Sequence, residues 1–140
     1  MIVLDTNVIS EMMRPTPDPR VAAWLGSQPV SGLFTTALTQ AEILYGLTLL
    51  PPGRRRGGLF AAARPIFDED MAGRILPFDA DAALAYAGIV AGRRRSGQPI
   101  SQIDAQIASI TSSRGAALAT RNARDFTGCG IDVIDPWTAR

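Results

Sequence analysis

The 140-residue chain has no histidine, no lysine and a single cysteine. Without imidazole it cannot run hydrolysis on a histidine acid and base, and it cannot build a His-rich zinc centre. Without lysine it lacks the cation that phospho-accepting aspartate sites place beside the carboxylate. One thiol, Cys129, makes neither an internal disulfide nor a zinc cluster, which suits a reducing cytosol. Lying between Gly128 and Gly130, it reads as a small residue in a turn. No apolar run is long enough to span a bilayer. The opening Met1-Ile2-Val3-Leu4-Asp5 has no basic region before its apolar stretch, so it is read as a buried strand rather than a secretory signal, and the expected location is the cytoplasm.

What is present describes a globule. Hydrophobic residues make up 46% of the chain and charged ones 19%, with a net charge of +1. That balance argues for a compact core within one domain spanning residues 1–140. All 14 basic residues are arginine. Arginine offers a planar fork suited to phosphate oxygens, although coding bias in an alanine-rich chain gives the same composition.

Strand and helix patterns alternate. Residues 2–5 read as a strand, Asn7 to Met13 as a short helix, and Pro15, Pro17 and Pro19 as a break. Asp18 caps a second helix with Pro19 in its first position. Leu33 to Thr36 reads as a strand and Thr39 to Leu50 as a helix stopped by Pro51-Pro52-Gly53. A helix is expected over Arg54 to Met71, a strand over Ile75 to Phe78, and a helix capped by Asp79 and running to Arg95. Ser101 starts another helix that ends at Gly115, and Ala117 to Thr120 and Asp132 to Ile134 complete the strands. The fold class expected is α/β, with a mostly parallel central sheet flanked by helices.

Four carboxylates stand out against the missing imidazoles: Asp5, Glu42, Asp104 and Asp125. Asp5 falls where the first strand ends, the place where open α/β sheets bind ligands; an ordinary helix cap has the same position. Glu42 follows Thr39 by three residues and Asp104 follows Ser101 by three, so both also match a capping box. Asp125 closes the run Thr120-Arg121-Asn122-Ala123-Arg124-Asp125, whose polar groups suit a phosphate or simply a solvated loop. Taken together, the four fall at strand ends and helix starts. Carboxylates gathered there repel one another, and a hard divalent cation relieves that repulsion.

The segment Ile2-Val3-Leu4-Asp5-Thr6-Asn7-Val8-Ile9-Ser10-Glu11 resembles the opening of PIN-domain nucleases, most closely the VapC-type toxin ribonucleases and their FitB-like branch. Leu38-Thr39-Gln40-Ala41-Glu42-Ile43, Ile103-Asp104-Ala105-Gln106-Ile107-Ala108 and Thr120 to Phe126 are similar to the family's later acidic motifs. Gly73 to Asp79 and the closing Asp135-Pro136-Trp137 also resemble family segments. The resemblance implies a PIN-like fold and a Mg2+- or Mn2+-dependent endoribonuclease leaving a 3′-hydroxyl and a 5′-phosphate. Asp5, Glu42, Asp104 and Asp125 are then catalytic and metal-holding, with Asp5 and Asp104 as direct ligands. Thr6, Thr120, Asn122 and Arg121 become the expected substrate or supporting contacts. It further implies a cognate antitoxin laid in an apolar groove, a homodimer, and contact with DNA only through the antitoxin.

A haloacid-dehalogenase-type phosphatase also begins with a strand-end aspartate, but it needs a second aspartate two residues on, where Asn7 stands, and a lysine. The remaining alternative is a catalytically silent module of the same fold that binds RNA or a protein partner; the intact set of four acids argues against it. Arg54–Arg56 and Arg93–Arg95 are either solvated helix ends or contacts to an RNA backbone. Trp24, Leu47, Leu49 and Leu50 belong either to the core or to a partner surface.

Overall fold

A computed structural model describes residues 1–139. The strands are β1 (Ile2–Leu4), β2 (Leu33–Thr36), β3 (Ile75–Leu76), β4 (Ala117–Ala119) and β5 (Val133–Ile134). Between them run helices α1 (Thr6–Met12), α2 (Pro19–Gly26), α3 (Ala37–Thr48), α4 (Arg54–Pro65), α5 (Ala80–Arg95) and α6 (Gln102–Ser113). The sheet order is β3-β2-β1-β4-β5, and every pairing is parallel. The expected α/β class with a parallel central sheet flanked by helices is therefore what the chain adopts.

Strand β1 is central because it is apolar on both faces. Val3 points into a core with Ile107, Ile110, Leu118 and Phe126, while Leu4 points into one with Val8, Ile9, Trp24 and Phe67. Alternate side chains of a strand face opposite ways, so a strand buried on both sides must be apolar throughout. From β1 the chain winds outward to β3, then crosses back to place β4 on the other side of β1. This reversal opens a crevice at the carboxyl ends of β1 and β4, where ligands of doubly wound sheets bind.

Several boundaries differ from the sequence reading, each for a local reason. Helix α3 starts at Ala37, and Thr36 rather than Thr39 is its N-cap, its hydroxyl accepting the Thr39 N–H at 3.1 Å. Thr39 is buried within the helix, so Glu42 does not belong to a capping box. The expected helix over Arg54 to Met71 changes character after Pro65. A proline offers no N–H to the ladder, and the chain widens into a π turn over Ile66–Asp70, with Met71 N–H donating to the Ile66 carbonyl at 2.8 Å. Strand β3 stops at Leu76 because Pro77 cannot extend the hydrogen bonding. By contrast Ser101 caps α6 as expected, accepting the Asp104 N–H at 3.2 Å. Gly115, at φ +62°, ends that helix in a conformation few other residues adopt.

Candidate active site

Asp5 is the first residue past β1 and the N-cap of α1. Its carboxylate is 5% exposed and gripped at both oxygens: Oδ1 accepts the Thr6 N–H at 2.8 Å, and Oδ2 accepts the Thr120 hydroxyl at 2.8 Å. Thr120 in turn accepts from Asn7 Nδ2 and from the Asn122 N–H, both at 3.1 Å. Its hydroxyl is fully committed and its side chain fully buried, so Thr120 fixes Asp5 rather than meeting a substrate. Asn7 ties the end of β4 more firmly still, its Oδ1 accepting the Arg121 N–H at 3.2 Å.

Glu42 reaches the same place from the second turn of α3. Oε1 accepts the Thr6 hydroxyl at 2.6 Å, and Thr6 Oγ lies 3.1 Å from Thr39 Oγ. Oε2 accepts no hydrogen bond among the described residues. Asp104 arrives on the first turn of α6. Together Asp5, Glu42 and Asp104 line a polar cleft of about 570 Å³ with Thr6, Asn7, Arg121, Asn122 and Trp137. Arg121 lies over the Trp137 ring, 5.0 Å from its centroid. Asp125 stands apart. It is exposed on a 3-10 turn over Ala123–Phe126 and does not line the cleft.

The charges nevertheless feel one another. Burial raises the Asp5 carboxyl above its ordinary range, and Asp104 and Glu42 push it further, against the pull of its Thr120 and Thr6 hydrogen bonds. Burial also raises Asp104, with added push from Asp125 and Glu42, partly offset by the Ser101 hydroxyl and Arg93. Among the described residues, no three His, Cys, Asp or Glu groups close into a ready-made metal cage. A hard cation such as Mg2+ needs none, because it keeps several waters and takes one or two carboxylates. An all-oxygen donor set in which Asp104 and Glu42 raise the proton affinity of Asp5, and Asp125 and Glu42 that of Asp104, fits such an ion chemically.

The family model for the PIN domain matches residues 2–127. The chain belongs to the PIN-domain family. Over 98% of its length this PIN domain is 41% identical to VapC ribonuclease Y4jK of Sinorhizobium fredii, covering 98% of that protein. It is 38% identical to toxin FitB of Neisseria gonorrhoeae, over 98% of this chain and 99% of that one. The solved structure of FitAB bound to IR36 DNA superposes with a TM-score of 0.91 at 37% identity, covering 100% of this chain and 98% of the other. The resemblance to VapC-type toxins and their FitB-like branch thus holds across the PIN domain.

Some features of the site escaped the sequence reading. Glu11, on the last turn of α1, is 6% exposed and lines the cleft, as do Ser10, Arg14 and Trp137. The spacing of Glu11 and Arg14, three apart at a helix end, was the available signal. The Arg93–Arg95 run divides: Arg94 and Arg95 are exposed, but Arg93 is buried. Its Nε donates to the Gln98 carbonyl at 2.6 Å, and Nη1 donates to the carbonyls of Asp125 and Thr127 at 2.9 and 2.6 Å. Arg93 therefore clamps the Asp125 turn and is not available to an RNA backbone. Arg54 and Arg55 are exposed, and Arg56 packs over Phe60 at 5.6 Å. Trp24 and Leu47 are core, whereas Leu49 is 66% exposed. Cys129 is buried in its glycine turn.

Proposed function

We propose that this PIN domain is the toxin of a type II toxin–antitoxin pair, an endoribonuclease that hydrolyses RNA phosphodiesters with Mg2+ or Mn2+. The observation that carries the reading is the convergence of Asp5, Glu42 and Asp104 on one cleft at the switch point of the sheet. Its relatives named as a VapC ribonuclease and toxin FitB support it. Asp5 and Asp104 would hold the metal directly and Glu42 would complete the acidic set at the cleft, while Asp125, on its turn outside the cleft, adds negative charge near Asp104. When bound, the ion supplies Lewis acidity that activates water and offsets charge on the phosphate undergoing in-line attack.

The remaining work falls to the protein's own groups. Thr6 and Thr120 fix Asp5, and Thr6 also anchors one oxygen of Glu42. The other oxygen, Oε2, is left to orient the attacking water. Arg121, steadied by Trp137, and Asn122 meet phosphate oxygens at the cleft.

An apolar groove of about 360 Å³ adjoins the cleft, walled by Met13, Pro15, Ile43, Leu47 and Leu59 and sharing Thr6, Glu42 and Arg14 with it. An antitoxin segment fits there, next to the carboxylates it must silence. Exposed Tyr45, Leu49, Val30 and Leu84 leave apolar surface for that partner and for a second copy of the chain. DNA contact comes through the antitoxin, as suits a likeness to FitAB bound to DNA. No described helix is long and apolar enough to cross a membrane, and the proposed site of action is the cytoplasm.

The deciding experiment incubates a mixed tRNA and rRNA pool with antitoxin-free protein and Mg2+ or Mn2+, beside Asp5→Asn protein and a chelated sample. Discrete products that vanish in both controls support the reading. Folded, metal-binding protein that cuts no RNA in the pool favours the catalytically silent binding module instead.

A further inference from the structure

Two arginines line the carboxylate cleft, Arg121 and Arg14. Arg14, two residues beyond α1, is held by Glu11. Its Nη1 donates to Glu11 Oε1 at 3.2 Å and to Oε2 at 3.0 Å. The Glu11 side chain is 7% exposed and the Arg14 side chain 62%. Glu11 is fixed from behind as well, since Oε2 accepts the Asp18 N–H at 3.2 Å. Among the described residues, Arg14 Nε and Nη2 make no hydrogen bond to the protein. One corner of the guanidinium is tethered to a buried carboxylate, and the rest of the fork stands in solvent at the edge of an acidic cleft.

In an RNA strand lying in this cleft a bound cation would offset charge at the reacting phosphate, while the neighbouring phosphates would face carboxylates. They need fixed positive charge beside those carboxylates, and a tethered arginine loses less freedom on binding a phosphate than an untethered one. We propose that Arg14 is a phosphate-binding residue that holds the RNA backbone beside the reacting position, and that Glu11 is the positioning residue that aims it. The inference rests on the ribonuclease reading and extends it to residues outside the four-acid set. Within this pair Glu11 is buried and Arg14 is displayed at the edge of the cleft, with part of its fork free for a further anion.

The test measures binding of a short, labelled, mixed-sequence single-stranded RNA to wild-type, Arg14→Gln, Arg14→Lys and Glu11→Gln protein, with Ca2+ replacing Mg2+ to hold back cleavage. Arg14→Gln should weaken binding about tenfold, evenly across sequences, and reduce the salt slope by roughly 0.7, the share of one phosphate contact on a single strand. Arg14→Lys should keep that slope. Glu11→Gln keeps an acceptor for the Asp18 N–H but releases the fork; in a parallel cleavage assay with Mg2+ it should raise KM about threefold and move KM more than kcat. Arg14→Gln protein with wild-type RNA affinity and salt slope overturns the inference, whatever it does to binding of a protein in the adjoining groove. Because Arg14 is exposed, that variant tests the idea even if Glu11→Gln fails to fold. Wild-type protein that binds no RNA overturns the inference together with the reading beneath it. Wild-type protein that binds and cleaves, with Arg14→Gln indistinguishable from it, overturns the inference alone.

Discussion

Replacing Arg93 with methionine keeps much of the side chain's length and removes its three hydrogen bonds to carbonyl oxygens, along with a longer one to Cys129 Sγ. The carbonyls of Gln98, Asp125 and Thr127 accept no other hydrogen bond within the described protein. Hydrogen bonds to a charged group contribute roughly 1.5–3 kcal/mol each, which gives an upper sum near 4.5–9 kcal/mol. Two effects reduce it: the guanidinium no longer has to be desolvated, and all three acceptors belong to residues exposed enough to regain water. A net loss of about 3–5 kcal/mol follows, comparable with breaking other buried charged networks. For a domain of this size that lowers the melting temperature by roughly 10–15 °C. Circular dichroism melts of Arg93→Met, Arg93→Lys and the exposed neighbour Arg94→Met separate clamp from charge. Arg94→Met should melt with the wild type, and Arg93→Lys should recover only part of the loss, because an ammonium lacks the planar fork that spans three carbonyls. An Arg93→Met protein melting within about 3 °C of wild type would refute the clamp and return the residue to the solvated surface.

Two further outcomes follow from the carboxylates and their supports. Burial, together with Asp125 and Glu42, holds the Asp104 carboxyl above its ordinary 3.8; ionising it costs folding stability that is absent below about pH 3.8 and fully exacted once the pH exceeds the raised folded value. Asp104→Asn should therefore raise the melting temperature of metal-free protein at neutral pH and leave it unchanged near pH 3; a lower neutral melting temperature contradicts this. Thr6→Val removes the 2.6 Å bond to Glu42 while keeping the backbone donor to Asp5. RNA cleavage should fall roughly 10–100-fold, as when a group supporting a metal ligand is lost, and a full-rate variant would show that Glu42 needs no anchor.

The acidic set was legible because its members sit where strand signals stop, and because the surrounding motifs resemble a family. Chain order alone said little about what each acid touches. Thr39 was read as the start of α3, but nothing in Ala37-Leu38 resists a helix, and Thr36, ending a strand fully buried at that point, caps it instead. Arg93, Arg94 and Arg95 are identical as residues. Only the phase of α5 against the Asp125 turn decides which one goes inside. Glu11 appeared only as the last residue of the opening motif, and its burial depends on the proline-rich bend that brings the Asp18 N–H back to it. Asp125 was correctly placed after a strand, but its exposure on a 3-10 turn depends on loop geometry that no spacing announces. Contacts between distant segments are what a single sequence leaves unstated.

The central strand is also the one the ribosome makes first. Its neighbour β4 begins at Ala117, so the sheet's middle waits for a partner made more than a hundred residues after it. The residues that wall the apolar groove all fall between Thr6 and Leu59, whereas the cleft is incomplete until Asp104 and Arg121 have been added. At 5–20 residues per second, typical of translation, that gap lasts on the order of seconds. Under the proposed function, an inhibitor waiting at the ribosome could find its landing place on a nascent chain that is still unable to cut. On that reading, the segments that wall the groove precede along the polypeptide the last segments that complete the cleft.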